Sequence, residues 1–572
     1  MKHLHYKKQQ FQQDAVNAVC DVFEGEIGEI SQYILGKEKS NLNDYIGGDK
    51  NIYAYKNEKI GLPEDILLKN LKKVQKRNGF MGEEIATTLD KNNINLTVEM
   101  ETGTGKTYTY INTIFELNKR YNWTKFIIVV PSIAIREGVY KSFEDMEYHF
   151  KSEYGKTINY FIFNSQKIND VMSFARDDGI NAMIINNQAF NKKESNTIHN
   201  SDNEYGLAPI EYIQTTNPIM IIDEPQTVEG KNKSNKTRLT LSEFNPLFTL
   251  RYSATHRESY NMVYKLDAVD AFNQKLVKRI EVNGIEIKGS TATHGYFLVD
   301  DIILTRSSPK ARIEIDITTS KRKIKTMEEG DNIYEKYAQL EQYKGWVIDR
   351  IDGINNCIIV RTPNGDKTFY KGSIYGEPNN NYKKRIQIRE TIKSHLKKEA
   401  LNYKHDIKTI SLFFIDEVKK YRQYDDGGAP INGEYAEIFI EEYNNILPEF
   451  IKEYPHLKEY IEKIPAEETH SGYFSIDKKK KQLKDPKLSG RGKEKVCNDV
   501  DAFELIMKDK KRLLDLKNPV RFIFSHSALK EGWDNPNVFQ ICILRDNESS
   551  NIKRKQEVGR GLRLCVNQDG ER

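Results

Sequence analysis

Short, uninterrupted runs of apolar residues recur along this chain, separated by stretches with the three-to-four-residue apolar spacing of amphipathic helices. Runs this short, without alternating polar positions, are typical of strands buried on both faces of a parallel sheet. They form two clusters, the first at residues 94–100, 126–130, 182–185 and 218–222, the second at residues 409–415, 521–524 and 539–544. Strands interleaved with helices predict α/β architecture, and two clusters predict two such domains.

The region between the clusters has a different pattern, with shorter apolar runs and turn signals such as Thr362-Pro-Asn-Gly-Asp366. We therefore predict a first α/β domain at residues 1–256, an inserted region at 257–400 with a small β-rich subdomain near 340–376, and a second α/β domain at 401–572. A basic stretch at residues 382–400 is predicted to be helical, and either follows a phosphate backbone or forms a solvated helix face. Residues 31–78 and 475–499 are expected to be loops or insertions.

Composition narrows the class of protein. The 572 residues are 38% hydrophobic and 30% charged, which predicts folded domains. The net charge of +5 permits binding to nucleic acid without requiring it. No apolar stretch approaches the roughly 18 residues of a membrane span, so a cytoplasmic location is expected. The 5 cysteines form no CxxC pair, which argues against a disulfide framework or a zinc site.

The strongest local motif is Glu101-Thr-Gly-Thr-Gly-Lys-Thr107, between the first predicted strand and a helical pattern. Backbone N–H groups of such a loop wrap phosphate oxygens, while the lysine reaches the outer phosphates and the threonine hydroxyl joins the Mg²⁺ shell. Met100 stands where the strict GxxxxGK[ST] pattern has glycine, so the match is to a looser form, and a glycine-rich turn is the alternative. The residues expected to bind nucleotide are Thr102, Gly103, Thr104, Gly105, Lys106 and Thr107.

A second motif is the apolar strand Pro218-Ile-Met-Ile-Ile-Asp-Glu-Pro-Gln226, which ends in two adjacent carboxylates. After a phosphate loop, this arrangement suits Asp223 for binding Mg²⁺ through its water shell and Glu224 for orienting and deprotonating the attacking water. A strand followed by a capping acid is the alternative.

The third motif is Gln556-Glu-Val-Gly-Arg-Gly-Leu-Arg563, here called the arginine segment. Arg560 and Arg563 are three residues apart, which places them on one face of a helix. Arginines brought from a second domain to a nucleotide stabilise the charge of the transition state and couple hydrolysis to cleft closure. The alternative is that they cap a helix or pair with surface carboxylates.

These blocks, with Arg251-Tyr-Ser-Ala-Thr-His256, resemble the ordered motifs of superfamily-two helicases and translocases. More specifically, the chain resembles the restriction (Res) subunit of type III restriction–modification enzymes over nearly its whole length. The resemblance implies two RecA-like domains with parallel sheets. Further matching segments are residues 126–138, 185–190, 264–270, 470–475 and 524–536.

The resemblance also implies roles for individual residues. Gln12 resembles a glutamine that reads adenine, although an ordinary polar helix residue is the alternative, and Gln556 joins the nucleotide site with the arginine segment. Ser253 and Thr255 resemble the motif that links hydrolysis to movement. The residues that resemble a strand-contacting motif, expected to bind DNA, are Pro131, Ser132 and Arg136.

For the chain as a whole, the resemblance implies a DNA-dependent ATPase that uses ATP and Mg²⁺ on duplex DNA. It also implies a methyltransferase (Mod) partner, through which S-adenosylmethionine enters the system. Family members continue into a nuclease domain of the PD…(D/E)xK type, whereas this sequence ends at Arg572, so we expect a truncated form or fragment with the motor alone. The ExK triplets at residues 229–231, 286–288 and 417–419 are expected to arise by chance.

Two other functions use the same motifs. A free-standing superfamily-two helicase or translocase needs no methyltransferase partner. An ATP-gated DNA-binding scaffold hydrolyses little ATP, and the intact Asp223-Glu224 pair argues against it.

Overall fold

The computed structural model divides into two compact units, one of residues 1–279, 398–431 and 467–572, the other of residues 280–397 and 432–466. The domain boundaries expected at residues 256 and 400 stay a prediction. The structure describes residues 7–35, 52–164, 167–186, 198, 208–229, 236–282, 287–288, 296–305, 308–318, 321–375, 380–476, 483–484, 488–489, 496–497, 512–525, 535–545, 557–559 and 561–569.

A seven-stranded sheet forms the first part of the larger unit, and its strands all pair in parallel. All four apolar runs of the first cluster are strands of this sheet. Three further strands, which the apolar runs did not single out, complete it at residues 158–162, 249–253 and 262–266. In spatial order the strands are Ile158–Ile162, Ile180–Asn186, Lys125–Val130, Ile219–Asp223, Thr249–Ser253, Asn95–Met100 and Met262–Leu266.

The interior strand Lys125–Val130 shows why such a run is continuously apolar. Phe126 and Ile128 belong to one hydrophobic core, while Ile127 and Val129 belong to another. Alternate side chains of a strand point to opposite faces, so both faces of this sheet are covered. The helices of this part are Gln10–Cys20, Glu64–Arg77, Lys106–Tyr121, Ile133–Tyr154, Ile168–Arg176, Pro209–Thr215, Pro225–Val228, Lys236–Ser242 and Ala268–Asn273.

Residues 31–78 contain regular elements in addition to connecting segments. The strands Ile30–Leu35 and Ile52–Asn57 pair antiparallel, and the helix Glu64–Arg77 follows them. That helix buries Leu67, Leu71 and Val74, at the spacing of one helix face. Its lysines cover the opposite face and conceal this pattern in the composition.

A four-stranded parallel sheet forms the second part of the larger unit, in the order His470–Tyr473, Phe522–Ser525, Ile410–Phe414 and Val538–Ile543. It contains the three apolar runs of the second cluster. Two parallel sheets in one chain confirm the predicted α/β class. Small antiparallel pairs join Arg422–Tyr424 to Pro430–Asn432, Ser475–Ile476 to Leu483–Lys484, and Leu488–Ser489 to Val496–Cys497.

The smaller unit contains two sheets. The three-stranded antiparallel sheet of Val347–Asp352, Cys357–Thr362 and Gly365–Tyr370 lies where the turn signals predict a β-rich subdomain. The other sheet has the order Ile287–Lys288, Ile374–Tyr375, Phe297–Ile303, Lys310–Thr318 and Lys321–Met327. Helices at Ile333–Lys336, Glu434–Glu453 and Lys458–Glu462 belong to this unit, and Asn380–Tyr403 begins in it.

The basic stretch at 382–400 is helical, as its pattern predicts. Arg385 pairs with the carboxylates of Glu441 and Glu442, and Lys393 Nζ lies 2.7 Å from Asp300 Oδ1. These cations therefore hold elements of the smaller unit together. Among the described residues, no helix is long and apolar enough to cross a membrane.

Candidate nucleotide site

The phosphate loop, residues 101–107, connects the strand Asn95–Met100 to the helix Lys106–Tyr121. Gly103 has φ 89° and Gly105 has φ 92°, in the left-handed region where residues with a Cβ are strained. Thr104 Oγ1 donates to Glu101 O at 2.7 Å and closes the turn. Gly105 is the N-cap of the helix. The loop therefore leads directly into the helix N-terminus, where free N–H groups favour phosphate.

The order of strands brings three motifs to one edge of the sheet. The strand Thr249–Ser253 lies between Asn95–Met100 and Ile219–Asp223. In the register, Glu99 is opposite Ser253 and Asp223 is opposite Tyr252. Since the strands are parallel, the phosphate loop, Ser253 and the two carboxylates all emerge at the carboxyl edge, where α/β sheets bind their ligands.

Glu224 lies at the centre of the contacts at this edge. Lys106 Nζ lies 3.1 Å from Glu224 Oε1, and Gln226 Nε2 donates to Glu224 Oε2. Glu224 has φ 53°, a sharp turn directly after the strand. Ser253 Oγ is 3.0 Å from both Glu224 Oε2 and Gln226 Oε1, and its single proton can donate to either one.

The adjacent carboxyls differ in their electrostatics. Burial, together with the neighbouring charge of Glu224, raises the pKa of Asp223 to about 7. Burial would also raise the pKa of Glu224, but Lys106 and the hydrogen bonds from Gln226 and Ser253 outweigh it and hold that pKa below its usual value. Glu224 is therefore an anion paired with a cation, whereas Asp223 forms no ion pair of its own among the described residues.

The environment of Asp223 fits a Mg²⁺ ligand. Its Oδ1 is buried and has no hydrogen-bond partner within the described part of the chain. A hydrated cation would satisfy this oxygen, and carboxylate and hydroxyl oxygens are the ligands Mg²⁺ prefers. Thr107 lies in the first turn of the helix after the loop. Within the same residues no group of three or more His, Cys, Asp and Glu side chains is placed to hold a metal by itself, so phosphates and water would complete the shell.

Gln12 lies beside the phosphate loop. Its Nε2 donates to Thr104 O at 2.8 Å, and a Cβ on Gly105 would lie 2.4 Å from that nitrogen. Gln12 is 9% exposed, so this amide has a structural contact in addition to its predicted contact with adenine, which stays a prediction.

The arginine segment packs against the phosphate loop where the structure describes both. A Cβ on Gly103 would lie 3.0 Å from Arg563 Cγ, and a Cβ on Gly559 would lie 3.0 Å from Thr102 Cγ2. The arginine segment and the phosphate loop are therefore in close contact at these two glycines. Gln556 and Arg560 lie outside the described residues, so their predicted roles have no structural description.

The remaining predicted residues have local partners, and their roles stay predictions. Ser253 Oγ accepts from Thr255 N at 3.1 Å, which places the predicted coupling residues next to Glu224. Pro131 and Ser132 are buried, and Ser132 Oγ accepts from Ile135 N at 3.3 Å, capping the helix Ile133–Tyr154. Arg136 Nη2 lies 2.7 Å from Glu137 Oε1. The capping bond gives the Ser132 side chain a structural role.

Sequence reasoning missed two groups near the site. Gln226 bridges Glu224 and Ser253, and its place two residues after Glu224 was a signal for this role. Arg251 forms a buried ion pair with Glu229, with Nη2 to Oε1 at 2.8 Å. Glu229 belongs to one of the ExK triplets, and the pair gives it a structural role.

Solved structures with a resemblance to the chain include two enzymes in complex with DNA. The Type ISP restriction-modification enzyme LlaBIII bound to DNA has a TM-score of 0.40 and 12% identity, covering 90% of this chain and 27% of that one. The DUF1998 helicase MrfA bound to DNA has a TM-score of 0.36 and 11% identity, covering 96% of this chain and 51% of that one.

Sequence comparisons are more specific. Residues 65–258 match the family model described as "Type III restriction enzyme, res subunit". The EcoP15I Res subunit of Escherichia coli is 33% identical over 541 residues, covering 90% of this chain and 52% of that protein. The StyLTI Res subunit of Salmonella typhimurium is 31% identical over 551 residues, covering 84% and 50%. The chain thus spans about half the length of the curated relatives it matches. By these matches, the chain is similar to type III restriction enzyme Res subunits over about half of their length.

Proposed function

We propose that this chain is an ATP-driven motor that acts on duplex DNA as part of a type III restriction enzyme. The observation that carries the proposal is the contact between Lys106 of the phosphate loop and Glu224 after the strand Ile219–Asp223, 3.1 Å between Nζ and Oε1. It joins a phosphate-binding cation to the carboxylate suited to activate water. The Res relatives support the restriction context.

In the proposed reaction, the chain's own residues bind and orient ATP. The N–H groups of the phosphate loop hold the phosphates, and Lys106 moves from Glu224 to the outer phosphates. Glu224, released from this cation, accepts the proton of the attacking water. Asp223 and Thr107 would hold Mg²⁺, which neutralises charge on the phosphates when it is bound.

The second part of the larger unit would supply the arginines. Arg563 packs against Gly103 of the phosphate loop, so its guanidinium is proposed to act on the phosphates held there. Arg560 is proposed to act beside it. Charge developing on the phosphoryl oxygens would be stabilised by these cations, the largest contribution to phosphoryl transfer.

DNA and a methyltransferase subunit are the proposed partners. The relatives are named as restriction-modification enzymes, which pair cleavage with modification of DNA. S-adenosylmethionine would be used by the methyltransferase subunit. Pro131, Ser132 and Arg136 are proposed to face the DNA, and Ser253 with Thr255 to transmit the state of the nucleotide.

The experiment is steady-state ATP hydrolysis with and without duplex DNA, and with an added methyltransferase subunit. Lys106→Ala should reduce turnover by about 100-fold or more, because it removes a cation that acts on the reacting phosphates. Lys119→Ala is the matched control, since Lys119 is an exposed lysine on the same helix, paired with Glu116. It should leave turnover unchanged.

Each outcome distinguishes one of the candidate functions from the others. Full stimulation by DNA without the methyltransferase favours a free-standing translocase, and ATP-dependent DNA binding without turnover favours a scaffold. Turnover that survives Lys106→Ala contradicts the proposed site.

A further inference from the structure

The segment that follows the first sheet runs beside the arginine segment. Val277 forms an antiparallel bridge with Arg563, and the backbone N–H of Lys278 donates to Leu562 O at 2.7 Å. Two consecutive residues of one part of the unit therefore hold the backbone at Arg563. The side chain of this arginine packs against Gly103 of the phosphate loop.

The side chain of Lys278 adds contacts that a backbone bridge lacks. Its Nζ donates to Pro536 O at 2.6 Å and to Val538 O at 2.8 Å, and lies 4.1 Å from the centroid of the Phe539 ring. The amino group uses two donors on carbonyls and lies over an aromatic ring, and burial lowers the pKa of Lys278 to about 7. Lys278 thereby joins the segment after the first sheet to the beginning of the strand Val538–Ile543.

The same turn also holds the chain just after the arginine segment. Asn537 Nδ2 donates to Val566 O at 2.9 Å, and Asn537 Oδ1 accepts from Val566 N at 2.9 Å. Leu562 is thus tied to Lys278 and Val566 to Asn537. A change at Lys278 would loosen one of these two ties, which come just before and shortly after Arg563 in the chain.

We propose that Lys278 is a positioning residue for Arg563, holding the arginine segment in register with the phosphate loop during ATP hydrolysis. Lys278 does not touch the nucleotide loop itself and acts through the contacts at Leu562, Pro536 and Val538. The inference rests on the proposed ATPase function. An error of about 1 Å in the position of a catalytic group can cost about 100-fold in rate, so a lost tie of this kind should be visible in turnover.

Another buried lysine provides a comparison within the chain. Lys125 Nζ donates to Phe174 O at 2.7 Å and also to Asp177 O. Both acceptors belong to the same part of the larger unit as the seven-stranded sheet. Its donors are used as those of Lys278 are, on two backbone carbonyls, but without a link to the arginine segment. Removing Lys125 should cost stability alone, whereas removing Lys278 should affect turnover specifically.

The test compares Lys278→Met with Lys125→Met and with Lys275→Met, an exposed lysine three residues away. We expect Lys278→Met to lower kcat for DNA-stimulated ATP hydrolysis by about tenfold or more while KM for ATP changes by less than about twofold. Lys278→Arg, which keeps a cation and donors, should recover part of kcat. Hydrogen exchange of residues 561–569 should accelerate in Lys278→Met and stay unchanged in Lys275→Met.

Three results would overturn the inference. One is an unchanged kcat in Lys278→Met, and another is an equal fall of kcat in Lys125→Met at the same loss of Tm. The third applies when the wild-type chain shows no turnover. That finding refutes the proposed function, and hydrogen exchange then becomes the readout for the positioning role. In that case, equal exchange of residues 561–569 in wild type and Lys278→Met refutes the positioning role separately.

Discussion

Lys106 Nζ and Glu224 Oε1 are 3.1 Å apart, and their side chains are only 13% and 21% exposed. In the proposed reaction each group is needed elsewhere, the lysine on phosphate and the carboxylate on water. Within this contact, the charge of the lysine balances that of the carboxylate. In that reaction, ATP would exchange this partner of Lys106 for phosphate oxygens, and four predictions concern the site and its surroundings.

Glu224→Gln should lower ATP turnover by about 100-fold or more, the usual contribution of a general base, while ATP affinity is retained or increased. The amide cannot accept the water proton, and Lys106 loses the anion that competes with phosphate. Single-turnover hydrolysis and nucleotide titration measure the two effects. The exposed Glu83→Gln is the control, and a parallel loss of ATP affinity and turnover would contradict the assignment of Glu224 as the base.

Asp223→Asn should stabilise the nucleotide-free chain at pH 8 and abolish hydrolysis. The pKa of Asp223 is raised to about 7 from a usual 3.8, so between these values the folded chain binds more protons than the unfolded chain. The free energy of unfolding therefore falls as pH rises through this window, and asparagine removes that fall. We expect Tm to rise by about 2 °C or more at pH 8 and less at pH 5.

Thermal unfolding without ATP and Mg²⁺ measures the effect of Asp223→Asn. Asp426→Asn, at an exposed aspartate, is the matched control and should show no such dependence on pH. An equal difference in Tm between wild type and Asp223→Asn at pH 5 and pH 8 would show that Asp223 is not the titrating group.

Gly105→Ala should lower ATP affinity by about tenfold or more, because a Cβ at φ 92° is strained and would lie 2.4 Å from Gln12 Nε2. Because Gln12 is itself predicted to contact adenine, Gln12→Ala is the reference for the double variant Gly105→Ala with Gln12→Ala. The double variant removes the close contact but keeps the backbone strain, so it should bind ATP more weakly than Gln12→Ala. Gly79→Ala is the control, since Gly79 has φ 83° with no atom within 4 Å of the added Cβ. It should lower stability without changing affinity, and equal affinity of the double variant and Gln12→Ala would show that backbone conformation has no part in the effect.

Glu229→Ala should destabilise the chain by about 3 kcal/mol or more, because it leaves Arg251 buried without its anion. The side chains of this pair are 5% and 10% exposed. Glu417→Ala is the control from another ExK triplet, where Glu417 and Lys419 are 42% and 71% exposed. It should change stability by less than about 1 kcal/mol, as urea unfolding would measure, and equal effects would contradict a structural role for Glu229.

Prediction of the fold succeeded where the local sequence pattern determines the type of element. The apolar runs at residues 126–130 and 218–222 are strands buried on both faces, which no other element explains as well. The helix Glu64–Arg77 was hidden by its many lysines, because its apolar stripe is narrow. The strand Met262–Leu266 was missed because its sequence carries no strong run, and its place beside Asn95–Met100 comes from the sheet's pairing.

Within the site, the sequence predicted the motifs but not the contacts between them. The glycines of the phosphate loop and the adjacent carboxylates are visible as residue types at fixed spacing. Arg563 shows the limit, since nothing in the spacing of the arginine segment indicates that it packs on Gly103 or that Val277 and Lys278 hold it there.

The sequence by itself therefore determined the elements of this protein and the chemistry available at their ends, because strand burial, helix periodicity and glycine conformation are local properties. Only the tertiary structure decided which of these groups meet. Strand order placed Thr249–Ser253 between the loop strand and the acidic strand, and so set the distance from Lys106 to Glu224. Such contacts depend on pairing and packing between residues far apart in the chain, which local patterns do not encode.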